Sequence, residues 1–396
     1  MNPTSLPNAP MHPRADGPVA MAPGIRRAQV LGDNEAHAAA SLAAALAMPD
    51  SAGTMFFCSP DYDPEWLATE LNQRFDEPLI GCTSAGEIGE RYQTGGITAI
   101  AFPAESFHLH TLLIDDVDQL NPAAIRQRLD AIRTQLRFGT DFDPERMFGY
   151  LLIDGLSMKE EMVAATLHAA LPQLRILGGS AGDALRFKET RVFADGGFRA
   201  GRAVLVLIET RLDFELFKFQ HFEPTEVDMV VTGCVPNRRF VSEIDGEPAA
   251  RRFAEIIGVD PGALDPQTFS NHPLMLEIGN EWNVRAIEKV TEDDGLTFYC
   301  AIDYGLPLTL GRSTGLARTL AHQIAALQAR FTRIDATLGC DCILRRLEMT
   351  QRNDTEAVEA LLGQLHFVGF NTYGEQFNGV HVNQTLVGVV LGEKAP

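Results

Sequence analysis

The sequence is short of two residue classes whose presence would have pointed to a function at once. Cationic side chains are in the minority, 33 Lys and Arg against 53 Asp and Glu in 396 residues, a net charge of −20. That balance repels phosphate backbones and anionic lipid surfaces at long range, so nucleic acid is not an expected partner. Cysteine is sparse too. The six, Cys58, Cys82, Cys234, Cys300, Cys340 and Cys342, are dispersed and mostly lie in apolar runs, which argues against a disulfide-built scaffold. Residues 1–27 are rich in proline and lack an apolar run long enough for a signal-peptide core or a membrane helix. They read as a disordered tail on a cytoplasmic protein without membrane insertion.

What the chain has is a repeat. Ser84-Ala-Gly86-Glu87 and Ser180-Ala-Gly182-Asp183 share Ser-Ala-Gly-acid at an offset of 96 residues. At the same offset the apolar run Thr54–Cys58 faces Tyr150–Asp154, each a short buried strand by its pattern. Amphipathic segments follow at 64–75 and 159–171, then second apolar strands at 78–81 and 175–178, making a βαβ unit in each copy. Gly95-Gly96 and Gly196-Gly197 both read as turns into a further strand. The copies are expected over about 50–120 and 146–222, inside a domain of residues 28–222.

Residues 223–396 read as an α+β module. Strand patterns run over 229–232 and 240–244, and Pro248 and Gly258 frame a helix. Strands follow near 274–278, 284–287 and 296–302, with helices near 313–331 and 354–364. Strands are expected at 336–344, 366–373 and 380–391, the last preceded by an Asn378-Gly379 hairpin turn. The expected class is α/β and α+β in two domains.

Gly178-x-Ser180-x-Gly182 has the spacing of an esterase nucleophile elbow, which needs a helix directly after the second glycine. A loop and hairpin follow instead, and the other copy has Cys82 in place of the first glycine, so a serine hydrolase is only the third reading and no enzyme activity is expected. Small residues after a strand allow close backbone approach, so Ser84, Gly86, Ser180 and Gly182 are candidates for holding a polar ligand group or for closing a turn. Cys340-x-Cys342 puts two thiols on one strand face. They read first as buried small side chains, with a redox or zinc pair as the functional alternative. His108 and His110, also spaced i, i+2, flank a strand without a third metal ligand nearby in sequence.

Four stretches together resemble the FIST family, with both its N-terminal and C-terminal parts. They are Gly81–Glu87, Gly178–Asp183 with the following Gly-Gly, Glu243–Ala249, and Gly369–Glu375 with His381–Thr385. The resemblance covers nearly the whole chain beyond residue 30 and implies a sensory module that binds a small ligand, with no catalytic activity. Two further stretches, His221–Thr225 and Asn271–Leu274, are similar to the bacterial subgroup called NosP. That subgroup implies a haem-binding nitric oxide sensor regulating a partner histidine kinase, and through it cyclic-di-GMP and biofilm formation. A homo-oligomer is left open.

Haem iron needs an axial donor, most often a neutral imidazole, in an apolar pocket. No Cys-x-x-Cys-His occurs, so the expected cofactor is non-covalent haem b. His221 is the first candidate ligand of the iron, at a domain junction among Phe217, Phe219 and Phe222. His381, beside Asn383 and Thr385, and His272, before a proline, come next. The rival reading is a haem-free sensor binding a polar metabolite such as an amino acid at the two Ser-Ala-Gly loops.

Overall fold

The computed structural model describes residues 19–20 and 24–396. Most of the segment expected to be a disordered tail lies outside the described residues, and its last two, Arg26 and Arg27, already belong to the strand Arg26–Val30. From there one βαβαβ plan is used three times, each time followed by a hairpin and a closing strand.

In the first unit Arg26–Val30, helix Glu35–Leu46, Ser51–Cys58, helix Pro64–Asn72 and Leu79–Thr83 lead to the hairpin Glu87–Ile88/Tyr92–Gln93 and the strand Ile97–Pro103. The second runs Phe107–Ile114, helix Pro122–Arg133, Met147–Ile153, helix Glu160–Ala170, Ile176–Ser180, hairpin Val192–Ala194/Gly197–Arg199 and Ala203–Thr210. Several helix starts are written locally. Asn34 accepts the His37 amide hydrogen, Asp63 that of Trp66, and Asn121 those of Ala123 and Ala124, with Pro64 and Pro122 at the first helical turn.

The third unit is divided. After Asp213–Phe219, residues 222–313 form a separate eight-stranded sheet with helices Ala249–Ile257 and Pro266–Asn271 around a core that includes Phe253 and Phe269. The unit resumes with helix Leu316–Gln328, Phe331–Cys342, helices Ile343–Arg352 and Thr355–Gly363, Phe367–Thr372, hairpin Glu375–Phe377/Val380–Val382 and Leu386–Lys394. The mixed α/β and α+β class is therefore as expected. Residue 222 marks the start of the insertion, and residues 316–394 return to pair with the first two units.

Each unit's sheet has the order first, last, second, third strand, then a hairpin lent by another unit. The first unit's hairpin pairs with the third unit (Gly369↔Ile88), the second's with the first (Val192↔Cys82) and the third's with the second (Leu177↔Phe377). The loans close in a cycle, and each covers a strand edge that would otherwise be open to pairing with another chain. The inner faces of the three sheets share one core in which Phe57 stacks on Phe370 at 4.3 Å and the Tyr150 hydroxyl lies 3.0 Å from Cys340 Sγ. The helices cover the outer faces.

Where the units meet, three backbone bonds form a ring: Ala85 N to Asn371 O (2.9 Å), Gly182 N to Thr83 O (3.0 Å) and Tyr373 N to Ser180 O (3.2 Å). The ring corrects the register read from the repeat. Thr83, Ser180 and Asn371 occupy equivalent places, each the ring acceptor two residues before its own unit's donor, and they pair with Cys58, Ile153 and Asp341 of the neighbouring parallel strands. Ser84 and Ser180 are therefore one position apart, although their letters align. A Cβ on Gly182 would lie 2.5 Å from Ala85 N, whereas one on Gly363 would meet nothing within 4 Å. Gly182→Ala is accordingly expected to cost about 1–3 kcal/mol of stability, and Gly363→Ala less than about 0.5 kcal/mol. Urea unfolding of the two variants checks this, and equal midpoints would contradict it.

Candidate functional site

The Ser-Ala-Gly loops are consumed by internal bonds. Ser84 Oγ donates to Glu87 at 2.6 Å and accepts from Gly86 N at 3.2 Å, while Gly182 N is part of the backbone ring. Ser180 is fully buried, gives its N–H to Gly374 O, and its Oγ meets Gln376 Nε2 at 2.9 Å. No helix follows Ser180, and its side-chain partner is an amide and not an imidazole, so the nucleophile-elbow geometry is absent.

His221 is buried in a chain of polar groups. Its Nε2 lies 2.7 Å from Glu348 Oε2 and its Nδ1 3.1 Å from Arg345 Nη1, while Arg345 Nε holds Asp341 at 2.6 Å. Burial lowers the His221 pKa. With both ring nitrogens engaged, His221 does not fit the axial-ligand role expected of it. The aromatic neighbours that drew attention to it do other work: Phe217 and Phe219 stack on each other at 4.4 Å in the third unit's outer core. His272 caps the C-terminus of Pro266–Asn271, half-buried, with Nδ1 3.0 Å from Thr268 O. Cys340 and Cys342 do share a strand face, but both are buried, both thiols are pushed well up by burial, and they join no cluster of three or more metal-ligating side chains among the described residues.

The third hairpin is different. Its turn is the expected Asn378-Gly379, both at positive φ (48° and 85°), which sets Gln376 opposite His381. Gln376 Nε2 reaches Ser180 Oγ and, at 3.1 Å, His381 Nδ1. Gly374 precedes this pair, and a Cβ there would sit 2.4 Å from His381 Cε1 and 3.0 Å from Asn383 Nδ2, so only glycine admits the arrangement. Around it lie buried polar atoms that reach full hydrogen-bond geometry with none of the described residues: His381 Nε2, Gln376 Oε1, both amide atoms of Asn383, Gln384 Oε1 and Arg285 Nε, with the Tyr299 backbone beside the His381 ring and Cys300 beside the Arg285 guanidinium. Each such atom costs about 1–3 kcal/mol if left unpaired. Their concentration in one place makes this the candidate site, since buried polar atoms are ordinarily paired with protein, water or a bound group.

Charges frame the cluster. Arg285, 5% exposed, donates from Nη1 to His381 O at 2.9 Å, and among the described residues it forms no ion pair. Arg239 of the inserted unit holds Glu160 and Glu161 of the second unit at 2.5 and 2.8 Å and reaches Tyr299 O at 2.7 Å. Burial lowers the His381 pKa to about 4 against the pull of Glu161, so its imidazole is neutral at pH 7. The cluster thus lies where the third hairpin, the second unit and the insertion meet, and it combines one unpaired cation with neutral donors and acceptors.

Sequence reasoning singled out His381, with Asn383 beside it, as a haem-ligand candidate and did not single out Gln376 or Arg285. The two-residue Asn-Gly turn implies the Gln376–His381 pairing, whereas nothing local signals Arg285. A separate cleft of about 190 Å³ lies between residues 58–62 and the loop 183–191, and a more open one of about 540 Å³ borders it along Pro64–Asn72. Neither is lined by a histidine.

A three-unit α/β core with an inserted sheet thus encloses a buried polar centre. The FIST N domain family matches residues 54–247 and the FIST C domain family residues 249–378, and the chain belongs to the FIST family. FIST domains are sensory domains of signalling proteins. No curated protein matches the chain. The boundary between the two matched domains falls inside the insertion, at Pro248. No described helix is long and apolar enough to cross a membrane.

Two buried acids give the fold a pH signature. Burial raises Glu375 to about 8 against hydrogen bonds from Thr372 and Thr385, and raises Glu87 to about 7 against those from Ser84 and Gly96. Both folded pKa values exceed the unfolded one, so the folded state holds more protons and stability falls as pH rises from about 4.5 to 8. Glu375→Gln is expected to flatten that slope between pH 6 and 8, as measured by urea unfolding at several pH values. An unchanged slope would contradict the assignment.

Proposed function

We propose that this FIST protein senses a small carboxylate-bearing metabolite of the amino-acid type, held by Arg285, Gln376, His381 and Asn383. The observation that carries the reading is a buried guanidinium without an ion pair beside buried amide and imidazole atoms without partners. Buried charges are stable when paired, so the complementary ligand carries a carboxylate, and the neutral donors and acceptors suit an amino group or amide. The rival reading made from the sequence is kept in its ligand class but moved from the Ser-Ala-Gly loops to the third hairpin, with Ser180 in contact through Gln376. A ligand touching both hairpin and insertion biases how they pack, which is the differential binding a sensor needs. Output through a separate histidine kinase rests on the resemblance to NosP.

Calorimetric titration of ligand-free protein with the proteinogenic amino acids tests the proposal. One class is expected to bind, and Arg285→Gln and Asn383→Ala are each expected to weaken it by about 2 kcal/mol or more. No binding by any of them overturns the amino-acid reading.

A non-covalent haem sensing nitric oxide is the second reading. It rests on the resemblance and on His381 and His272, whose Nδ1 atoms are held by Gln376 and by Thr268 O, so that Nε2 is the atom each would offer to an iron. His221 does not fit, and the His381 ring is buried and packs against Gly374 and Asn383. An absorption spectrum after hemin addition, reduction and exposure to nitric oxide separates the readings. A stoichiometric Soret band that shifts with nitric oxide and is lost in His381→Ala or His272→Ala supports haem, and the spectrum of free hemin rules it out.

A further inference from the structure

The strand Phe107–Ile114 is the edge of the second unit's sheet, and its neighbour Ala203–Thr210 runs antiparallel with Glu209 opposite His108 and Leu207 opposite His110. Side chains two apart on a strand share a face, and a residue directly across the ladder shares it too. His108, His110 and Glu209 therefore project together from two strands, and each offers a ligand atom within 4.8 Å of the other two. The imidazoles meet edge to face with ring centroids 4.5 Å apart, and His110 Nε2 lies 3.0 Å from Glu209 Oε2. The sequence shows the two histidines but not the third ligand, which lies 99 residues further on.

We propose that His108, His110 and Glu209 form a mononuclear site for a divalent transition metal of the zinc class. Two imidazoles and one carboxylate make a recurrent three-ligand set that leaves a coordination position for water or an exogenous donor. The carboxylate is already oriented for the role. Arg137 N donates to Glu209 Oε1 and Oε2 at 3.1 and 3.0 Å, and Phe138 N to Oε1 at 3.1 Å, the kind of outer-sphere support that fixes a metal ligand. The nearby cations are held on a ring: the Arg211 guanidinium lies 4.7 Å and that of Arg137 6.0 Å from the centroid of Phe138. His110 and Glu209 are buried and His108 is half-exposed, which gives the metal a path from solvent. A bound ion ties the segment 134–146 to the sheet edge, since Arg137 and Phe138 belong to that segment. The site is separate from the third-hairpin cluster.

The test is titration of metal-stripped full-length protein with Co²⁺, read by visible ligand-field absorption, followed by displacement with Zn²⁺. One equivalent is expected to give a four- or five-coordinate spectrum that Zn²⁺ abolishes. His108→Ala, at the half-exposed position, is expected to melt like the parent while losing at least ~100-fold in Co²⁺ affinity, and Glu209→Gln is expected to weaken binding as well. Absence of the ligand-field band in the parent, or full retention of it in His108→Ala, overturns the proposal.

Discussion

Everything else in this molecule depends on the ring of three backbone hydrogen bonds through which the units hold one another, Ala85 to Asn371, Gly182 to Thr83 and Tyr373 to Ser180. Each bond joins two different units, and next to each a hairpin crosses into a neighbour's sheet. No unit completes its own sheet. The small residues of the Ser-Ala-Gly loops answer to this constraint: backbones approach so closely there that Gly182 has no room for a Cβ, while at Gly86 the side chains of Arg346 and Asn371 fill the space a Cβ would take. Acids placed after the loops, Glu87 and Glu375, tie each loop to the start of its closing strand through Gly96 and Thr385.

The same closure builds the candidate site. Because the third hairpin is lent to the second unit, Gln376 is brought against Ser180, and His381 against the Gln376 side chain. Because the third unit is interrupted after Phe219, the insertion is anchored close by and supplies Arg285 from above and Arg239 to the start of helix Glu160–Ala170. Polar groups that would be solvated on an ordinary hairpin are thereby buried, and the cost of leaving them unpaired is what the ligand proposal rests on. On the proposed reading, a ligand pairing Arg285 would change the contact between the insertion and the three-unit core.

Much of this was legible in the sequence where the information is local. The two βαβ units, the helix framed by Pro248 and Gly258, the Asn378-Gly379 turn and the strands of the last third are carried by neighbouring residues, whereas the helix Ile343–Arg352 begins inside the strand expected over 336–344. The third unit was hidden for two reasons. Its first strand is separated from the rest by residues 222–313, and its loop reads Thr372-Tyr-Gly-Glu375 where the others read Ser-Ala-Gly-acid. The register slip between Ser84 and Ser180 was also out of reach, because identical letters suggest one alignment while inter-strand pairing sets another. His221 illustrates the limit best. Its aromatic neighbours are local and visible, but the groups that engage its nitrogens, Arg345 and Glu348, come from 124 and 127 residues away.

The most direct measurement is a crystal structure of the purified protein at a resolution that orders individual water molecules. The account predicts density for a small molecule with a carboxylate on Arg285 and hydrogen bonds to at least two of Gln376, His381 and Asn383. Side chains of that cluster turned to pair with one another or with backbone, with no density between them, would contradict it.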